Sequence, residues 1–150
     1  MSSIQEEINF GNLRALVIDD EPVIVKIVAA ALKELGIGQI QMAKDGLEAI
    51  SFFHDEVCRF DLIICDWMMP NMNGLEFLKE FRAMFPKVPF LMLTGKVTKE
   101  AILDAKNAGV SAYIGKPFTT EQVHKKIRTL IIRSIKETSG ETAWLATMGN

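Results

Sequence analysis

This chain is short of almost every feature that would tie it to a membrane, a secretory route or a nucleic acid. No apolar run exceeds residues 27–32, far short of the roughly 18 residues that a bilayer span requires. The first seven residues carry acid before any base, with no apolar stretch behind them, so no secretory leader is expected. Cysteine is scarce. Cys58 and Cys65 stand in no CxxC or metal-ligand spacing, which argues against a disulfide framework or a zinc site and fits a reducing cytoplasm. A basic excess is missing as well: the net charge is -2 and the pI about 5.7, so no global positive field points to DNA or RNA. What is present is 150 residues, 49% hydrophobic and 24% charged, enough for one domain with a real core.

Four short apolar runs are continuous rather than alternating: Ala15-Leu16-Val17-Ile18, Leu62-Ile63-Ile64-Cys65, Phe90-Leu91-Met92-Leu93 and Ala112-Tyr113-Ile114. Such runs suit strands buried on both faces, the condition of a parallel sheet. Gln39 to Ala43 fits a more exposed strand. Between the runs the period becomes helical. Val23, Ile24, Ile27, Val28, Ala31, Leu32 and Leu35 mark one helix face, with Pro22 in its first turn and Gly36 closing it. Asp45 is placed to cap a second helix carrying Leu47, Ile50, Ser51 and Phe53-His54. Leu75, Leu78, Phe81 and Arg82 place a third after Gly74, and Thr98 caps a fourth that ends near Asn107-Ala108-Gly109. Thr119 with Gln122 reads as a capping box for a fifth, whose stripe is Val123, Ile127, Leu130 and Ile131. Strand followed by helix, repeated along the chain, predicts a doubly wound α/β sheet with right-handed crossovers.

The polar residues fall at informative places. Asp19 and Asp20 follow the first strand, Asp66 the third, Thr94 the fourth and Lys116 the fifth. Ligands bind open parallel sheets at the carboxyl ends of the strands, so three carboxylates, one hydroxyl and one ammonium converge on one edge. Two carboxylates about 5 Å apart at an effective dielectric near 20 repel by roughly 3 kcal/mol. A hard divalent cation offsets that repulsion, and Mg²⁺ prefers few carboxylates plus waters and phosphate oxygens. Lys116 neutralises part of the remainder. The set suits a carboxylate that accepts a phosphoryl group. Each residue alone has a plainer reading: Asp20 as a helix cap, Thr94-Gly95 as a turn, Lys116 as a solvated cation. Their joint placement at strand ends favours the functional one.

Four stretches, Leu16-Val17-Ile18-Asp19-Asp20-Glu21, Asp66-Trp67-Met68-Met69-Pro70-Asn71-Met72-Asn73-Gly74, Leu93-Thr94-Gly95 and Lys116-Pro117-Phe118, resemble the receiver domain of bacterial two-component response regulators. The closest likeness is to the free-standing chemotaxis type, and it covers residues 13–135. The resemblance implies a flavodoxin-like sheet of order 2-1-3-4-5 with five helices. It implies that Asp66 is the phosphoacceptor, charged by a histidine kinase, a histidine phosphotransfer protein or a small phosphodonor. Asp20, Asp66 and the backbone carbonyl of Met68 would bind Mg²⁺, with Asp19 acting through water. Thr94 and Lys116 would contact the phosphoryl group, Thr94 and Tyr113 would form the switch, and the Lys116-Pro117 bond would be cis. The surface of helix 4, strand 5 and helix 5 would then control binding of a downstream protein. Residues 1–12 are expected to form an N-terminal arm, 13–136 the receiver domain and 137–150 a flexible tail. The expected protein is cytoplasmic, a monomer or weak dimer, with no output domain, no nucleic acid and no membrane partner. It is a signalling phosphoprotein of chemotaxis or a phosphorelay rather than an enzyme on external substrates.

Two positions depart from the family pattern. Met68 is apolar where relatives often carry a polar side chain, and Lys96 places a charge two residues past Thr94; both bear on the lifetime of the phosphoryl group. Two other functions fit part of the pattern. A Mg²⁺-dependent aspartyl-phosphate phosphatase would carry a second Asp where this chain has Met68, and a phosphorylation-independent scaffold would not need all of Asp19, Asp20, Asp66, Thr94 and Lys116. Cys65 reads as a buried core residue rather than a redox sensor. His54 and His124 have no neighbours at metal spacing, and Met68, Met69 and Met72 read as loop packing. Lys125, Lys126, Arg128, Arg133 and Lys136 make the fifth helix basic, either a solvated face or a dock for an acidic partner. Trp144-Leu145 in the tail is a small docking element or nothing.

Overall fold

Each apolar run becomes a strand: β1 Arg14–Ile18, β2 Gln39–Ala43, β3 Leu62–Asp66, β4 Phe90–Thr94 and β5 Ala112–Gly115. The computed structural model describes residues 8–96 and 98–139. All neighbouring strands pair in parallel, in the order β2-β1-β3-β4-β5, which is the expected order. The register sets Val17 beside Met42 and Ile64, and Leu93 beside Asp66 and Ile114. The connecting helices are α1 Pro22–Leu35, α2 Gly46–Ile50, α3 Gly74–Met84, α4 Lys99–Asn107 and α5 Thr120–Ser139.

Strand alternation splits the interior into two layers. Val17, Ile64, Leu91 and Leu93 pack with Leu32 of α1 and Ile127 of α5. Ile18, Ile63, Cys65 and Met92 pack on the other face, with Phe77 and Phe81 of α3 and Ala105 of α4. That second layer holds an aromatic chain in which Phe53 meets Phe81 at 5.3 Å and Phe60 at 6.1 Å between ring centres. The expected caps form: Asp45 accepts from Glu48 N at 2.9 Å, Thr98 from Ala101 N at 3.2 Å, and Thr119 and Gln122 bond reciprocally. Gly36 ends α1 in the left-handed region, at φ 87°.

Three boundaries differ from the sequence reading. The second helix is α-helical only to Ile50 and continues as a 3₁₀ turn, Ser51–Phe53. The Ser51 hydroxyl donates to the Glu48 carbonyl, and the tighter turn carries Phe53 into the aromatic layer. Helix α5 runs through Ser139, three residues past the expected end of the domain at residue 136, because no glycine or proline interrupts it before Gly140. At the other end, Phe10–Asn12 forms a 3₁₀ turn whose Phe10 carbonyl accepts from Gly38 N at 3.2 Å, and Phe10 packs on the α1–α5 layer. Residues 140–150 lie outside the described residues.

Arg82 joins α3 to the strands beside it. Its Nε donates to the Gly109 carbonyl at 2.7 Å, one terminal nitrogen to the Phe85 carbonyl at 2.9 Å, and the other to Ser111 Oγ at 3.1 Å. The same Ser111 oxygen accepts from Phe90 N at 2.9 Å. Burial pulls the guanidinium pKa down, and the charge lies 5.9 Å over the rings of Phe81 and Phe90. Arg82→Ala is expected to lower stability by about 2 kcal/mol, since it strands these acceptors. Urea unfolding would show a reduced midpoint at unchanged slope.

Candidate functional site

The carboxyl ends of four strands meet over one pocket. Asp19 leaves β1 with its backbone N–H donating to Ala43 O at 3.0 Å, which ties it to β2. Asp66 is the last residue of β3, Thr94 the last of β4, and Lys116 follows β5 with its N–H on Thr94 O at 2.8 Å. Asp19, Asp66 and Thr94 are buried, while Asp20 and Glu21 are exposed. Asp20 does not cap α1. Glu21 holds the cap position with no side-chain cap bond, and Pro22 occupies the first turn.

Lys116 is the electrostatic centre. Its Nζ lies 3.0 Å from Asp66 Oδ1, 3.1 Å from Glu21 Oε1 and 3.8 Å from Asp19 Oδ2. One ammonium therefore serves three carboxylates. Asp19 Oδ1 accepts from Glu21 N at 2.9 Å, but Asp19 Oδ2 and Asp66 Oδ2 are buried with no hydrogen-bond donor. Burial, with the Asp66 charge adding to it, pushes the Asp19 carboxyl up to about 6 despite the Glu21 amide. Burial also raises Asp66, against the pull of Lys116. For Lys116, burial acts downward, but the bond to Asp66 and the charges of Asp19 and Asp66 outweigh it, and its pKa is raised. Oxygens of Asp19, Asp20, Glu21 and Asp66 all lie within 4.8 Å of one another. This all-oxygen donor set, with two buried oxygens that receive no hydrogen bond, fits a hard divalent cation such as Mg²⁺. Glu21 is the member that sequence reasoning did not assign; its one signal was a third consecutive carboxylate after a strand.

The loop after β3 is fixed from both sides. Trp67 N donates to Leu93 O at 2.9 Å and Gly74 N to Trp67 O at 2.8 Å. Asn71 takes the left-handed region at φ 68° and its amide donates to Asp45 Oδ2 at 2.9 Å. Met68 is exposed, and the Lys116-Pro117 bond is cis. At Gly74 a Cβ would stand 2.3 Å from the Asp66 carbonyl oxygen and 2.9 Å from Trp67 Cα. Both are backbone atoms, so Gly74→Ala must displace the segment carrying Asp66. The expected loss is about 2 kcal/mol of stability, with a weaker Mg²⁺ response in thermal melts than the unsubstituted chain gives.

Thr94 Oγ1 accepts from Lys96 N at 2.7 Å and faces the Lys96 carbonyl at 3.3 Å. The Lys96 ammonium lies 5.6 Å over the Trp67 ring. Tyr113 is half-buried against the α3–α4 layer. Cys65 is fully buried, its thiol on the Asp66 carbonyl at 3.2 Å and pushed well up in pKa by burial and the nearby carboxylates. Those surroundings make a core residue, not a reactive one.

A family model described as the response regulator receiver domain matches residues 15–128. The chain is 36% identical over 124 residues to chemotaxis protein CheY-3 of Vibrio cholerae, covering 81% of this chain and 94% of that one. It is 32% identical over 123 residues to chemotaxis protein CheY of Pseudomonas aeruginosa, covering 81% and 98%. The structure of Vibrio cholerae CheY4 superposes with a TM-score of 0.70 at 32% identity, over 79% of this chain and 98% of that one. A CheY-like receiver domain protein from Methanospirillum hungatei gives 0.75 at 28% identity, over 83% and 98%. A match that runs from β1 into α5, on a sheet of the same kind, means that the chain belongs to the response regulator receiver domain family and is CheY-like.

Proposed function

We propose that this protein is a phosphorylation-switched signalling module in which Asp66 accepts a phosphoryl group from a histidine kinase, a histidine phosphotransfer protein or a small phosphodonor. The observation that carries this reading is the state of the Asp66 carboxylate: Oδ1 rests on Lys116, and Oδ2 is buried without a donor beside three other carboxylates. In the reaction an Asp66 oxygen forms the new P–O bond as the bond from phosphorus to the donor breaks. With a phosphohistidine the P–N bond breaks and the imidazole leaves, and with a small phosphodonor the donor's own anion leaves. Asp20, Asp66 and the Met68 carbonyl would hold Mg²⁺, with Asp19 acting through water. That ion, when bound, supplies charge to screen the approaching phosphoryl oxygens.

The rest is done by the chain itself. Lys116 neutralises the product oxygens, exchanging its bonds to Asp66 and Glu21 for bonds to the phosphoryl group. Phosphorylation adds nearly two negative charges and new acceptors, which reward a donor hydroxyl. Thr94 supplies it by leaving the Lys96 backbone, and Tyr113 follows inward on the same side of the sheet. The readout is binding of a partner on α4, β5 and α5. On the β5 and α5 part of that surface, a groove of about 560 Å³ has Ile114 and Leu130 in its wall with Lys125, Lys126 and Arg133, which suits an acidic target. Likeness to chemotaxis proteins supports a role in chemotaxis or a phosphorelay in the cytoplasm. No helix among the described residues is long and apolar enough to cross a membrane.

Trp67 reports on the site, since it adjoins Asp66 and stacks with Lys96. In a Trp144→Phe background, Mg²⁺ with beryllofluoride is expected to change its fluorescence. The same addition to Asp66→Asn should change nothing. A response without Mg²⁺, or one that survives Asp66→Asn, would overturn the assignment.

A further inference from the structure

The strands' amino ends, opposite the acidic pocket, frame an apolar groove of about 700 Å³. Its walls include Leu13 ahead of β1, Phe60 ahead of β3, Val88 ahead of β4, and Ile131 and Ile135 of α5. In a parallel sheet each helix runs back against the strands, so α5 ends on this side, at Ser139, one turn beyond Ile135. Residues 140–150 follow directly and bring Trp144, Leu145 and Met148. From Ser139 to Trp144 the chain reaches up to roughly 17 Å, whereas Ile135 lies only about 6 Å back along the helix axis. Reach, apolar content and starting point thus agree on one occupant.

We propose that segment 140–150 folds back over the end of α5 and seats Trp144 and Leu145 in this groove of its own domain. An indole is the side chain that gains most from such a site. The groove wall carries one charge of each sign, Lys87 and Asp61, so its selection is by apolar contact. Residues 1–7 offer only Met1 and Ile4 as apolar groups, and a second copy competes against a segment held at high effective concentration by its own chain. The groove lies at the opposite end of the strands from Asp66, so this inference stands or falls independently of the phosphoryl reading.

The test uses the full chain with Trp67→Phe, which leaves Trp144 as the single indole. Its emission is expected to be blue-shifted, and acrylamide quenching several-fold weaker than for a peptide of residues 138–150. Separately, Trp144→Ser is expected to shift the backbone amide resonances of Val88 and Ser134 while leaving those of Asp20 and Lys116 in place. Peptide-like quenching overturns the proposal. So does protection of Trp144 that fades on dilution, which would assign the groove to a second copy, and so do groove amides indifferent to Trp144→Ser.

Discussion

Replacing Asp66 with asparagine is expected to end phosphoryl uptake completely. Incubated with Mg²⁺ and a small phosphodonor, the unsubstituted chain should gain one phosphoryl adduct by intact-mass measurement, and Asp66→Asn none. The substitution is nearly isosteric, so packing at the end of β3 is kept. The amide, however, carries no charge and makes a poor nucleophile. The neighbouring carboxylates cannot take over. Asp19 is held by the Glu21 amide and raised in pKa, while Asp20 and Glu21 are exposed to solvent and Glu21 is already paired with Lys116. Asp20→Asn makes the contrasting case. It leaves the acceptor intact, so uptake should fall but recover as Mg²⁺ is raised. An adduct on Asp66→Asn would place the acceptor elsewhere.

Asp19→Asn should make the metal-free protein more stable, not less. The folded Asp19 carboxyl is raised from 3.8 to about 6, so the folded state holds a proton that the unfolded chain has already released. Stability therefore falls as pH rises between these two values and stays low above them. The shift corresponds to about 3 kcal/mol at neutral pH, with the attraction of Lys116 already included in it. Asp66 is raised too and acts in the same direction. Lys116 does the reverse: its raised pKa adds stability that is lost only in the alkaline range. In thermal melts with EDTA, Asp19→Asn should exceed the unsubstituted chain at neutral pH, with the gap closing as pH falls toward the ordinary carboxylate range. Mg²⁺ should invert the order. It stabilises by mass action but needs ionised ligands, so its effect on the unsubstituted chain should fade as pH drops through about 6 and be weak in Asp19→Asn at every pH. An Asp19→Asn chain less stable than its parent in EDTA would refute this account.

Much of the site was legible because each polar residue interrupts or ends an apolar run. Asp66 ends Leu62-Ile63-Ile64-Cys65 and Thr94 ends Phe90-Leu91-Met92-Leu93, and parallel strands put such ends on one edge. The caps were legible for a similar reason: Asp45, Thr98 and Thr119 act on amides three residues away. Glu21 was not, since an exposed acid at the start of a helix looks the same whether or not an ammonium from residue 116 reaches it. Arg82 read as part of a helix face, and its bonds to Gly109 and Ser111 depend on how α3 lies beside β5. The break in the second helix after Ile50 arose from Phe53 turning into a cluster whose members come from four separate stretches of chain.

The sequence by itself determined the element order, the two-faced burial of β1, β3 and β4 (β5, read the same way, is only half-buried as the edge strand), the helix caps and which polar groups stand at the strand ends. These follow from short continuous apolar runs, from a helical period of about 3.6 residues and from bonds between near neighbours, which need no knowledge of the rest of the chain. Only the tertiary structure decided that one ammonium is divided among Asp66, Glu21 and Asp19, that one oxygen each of Asp19 and Asp66 is buried without a donor, and that the Thr94 hydroxyl rests on the Lys96 backbone. Charge sharing and burial depend on distances between groups far apart in sequence. Those distances are set by the packing of both helix layers on the sheet.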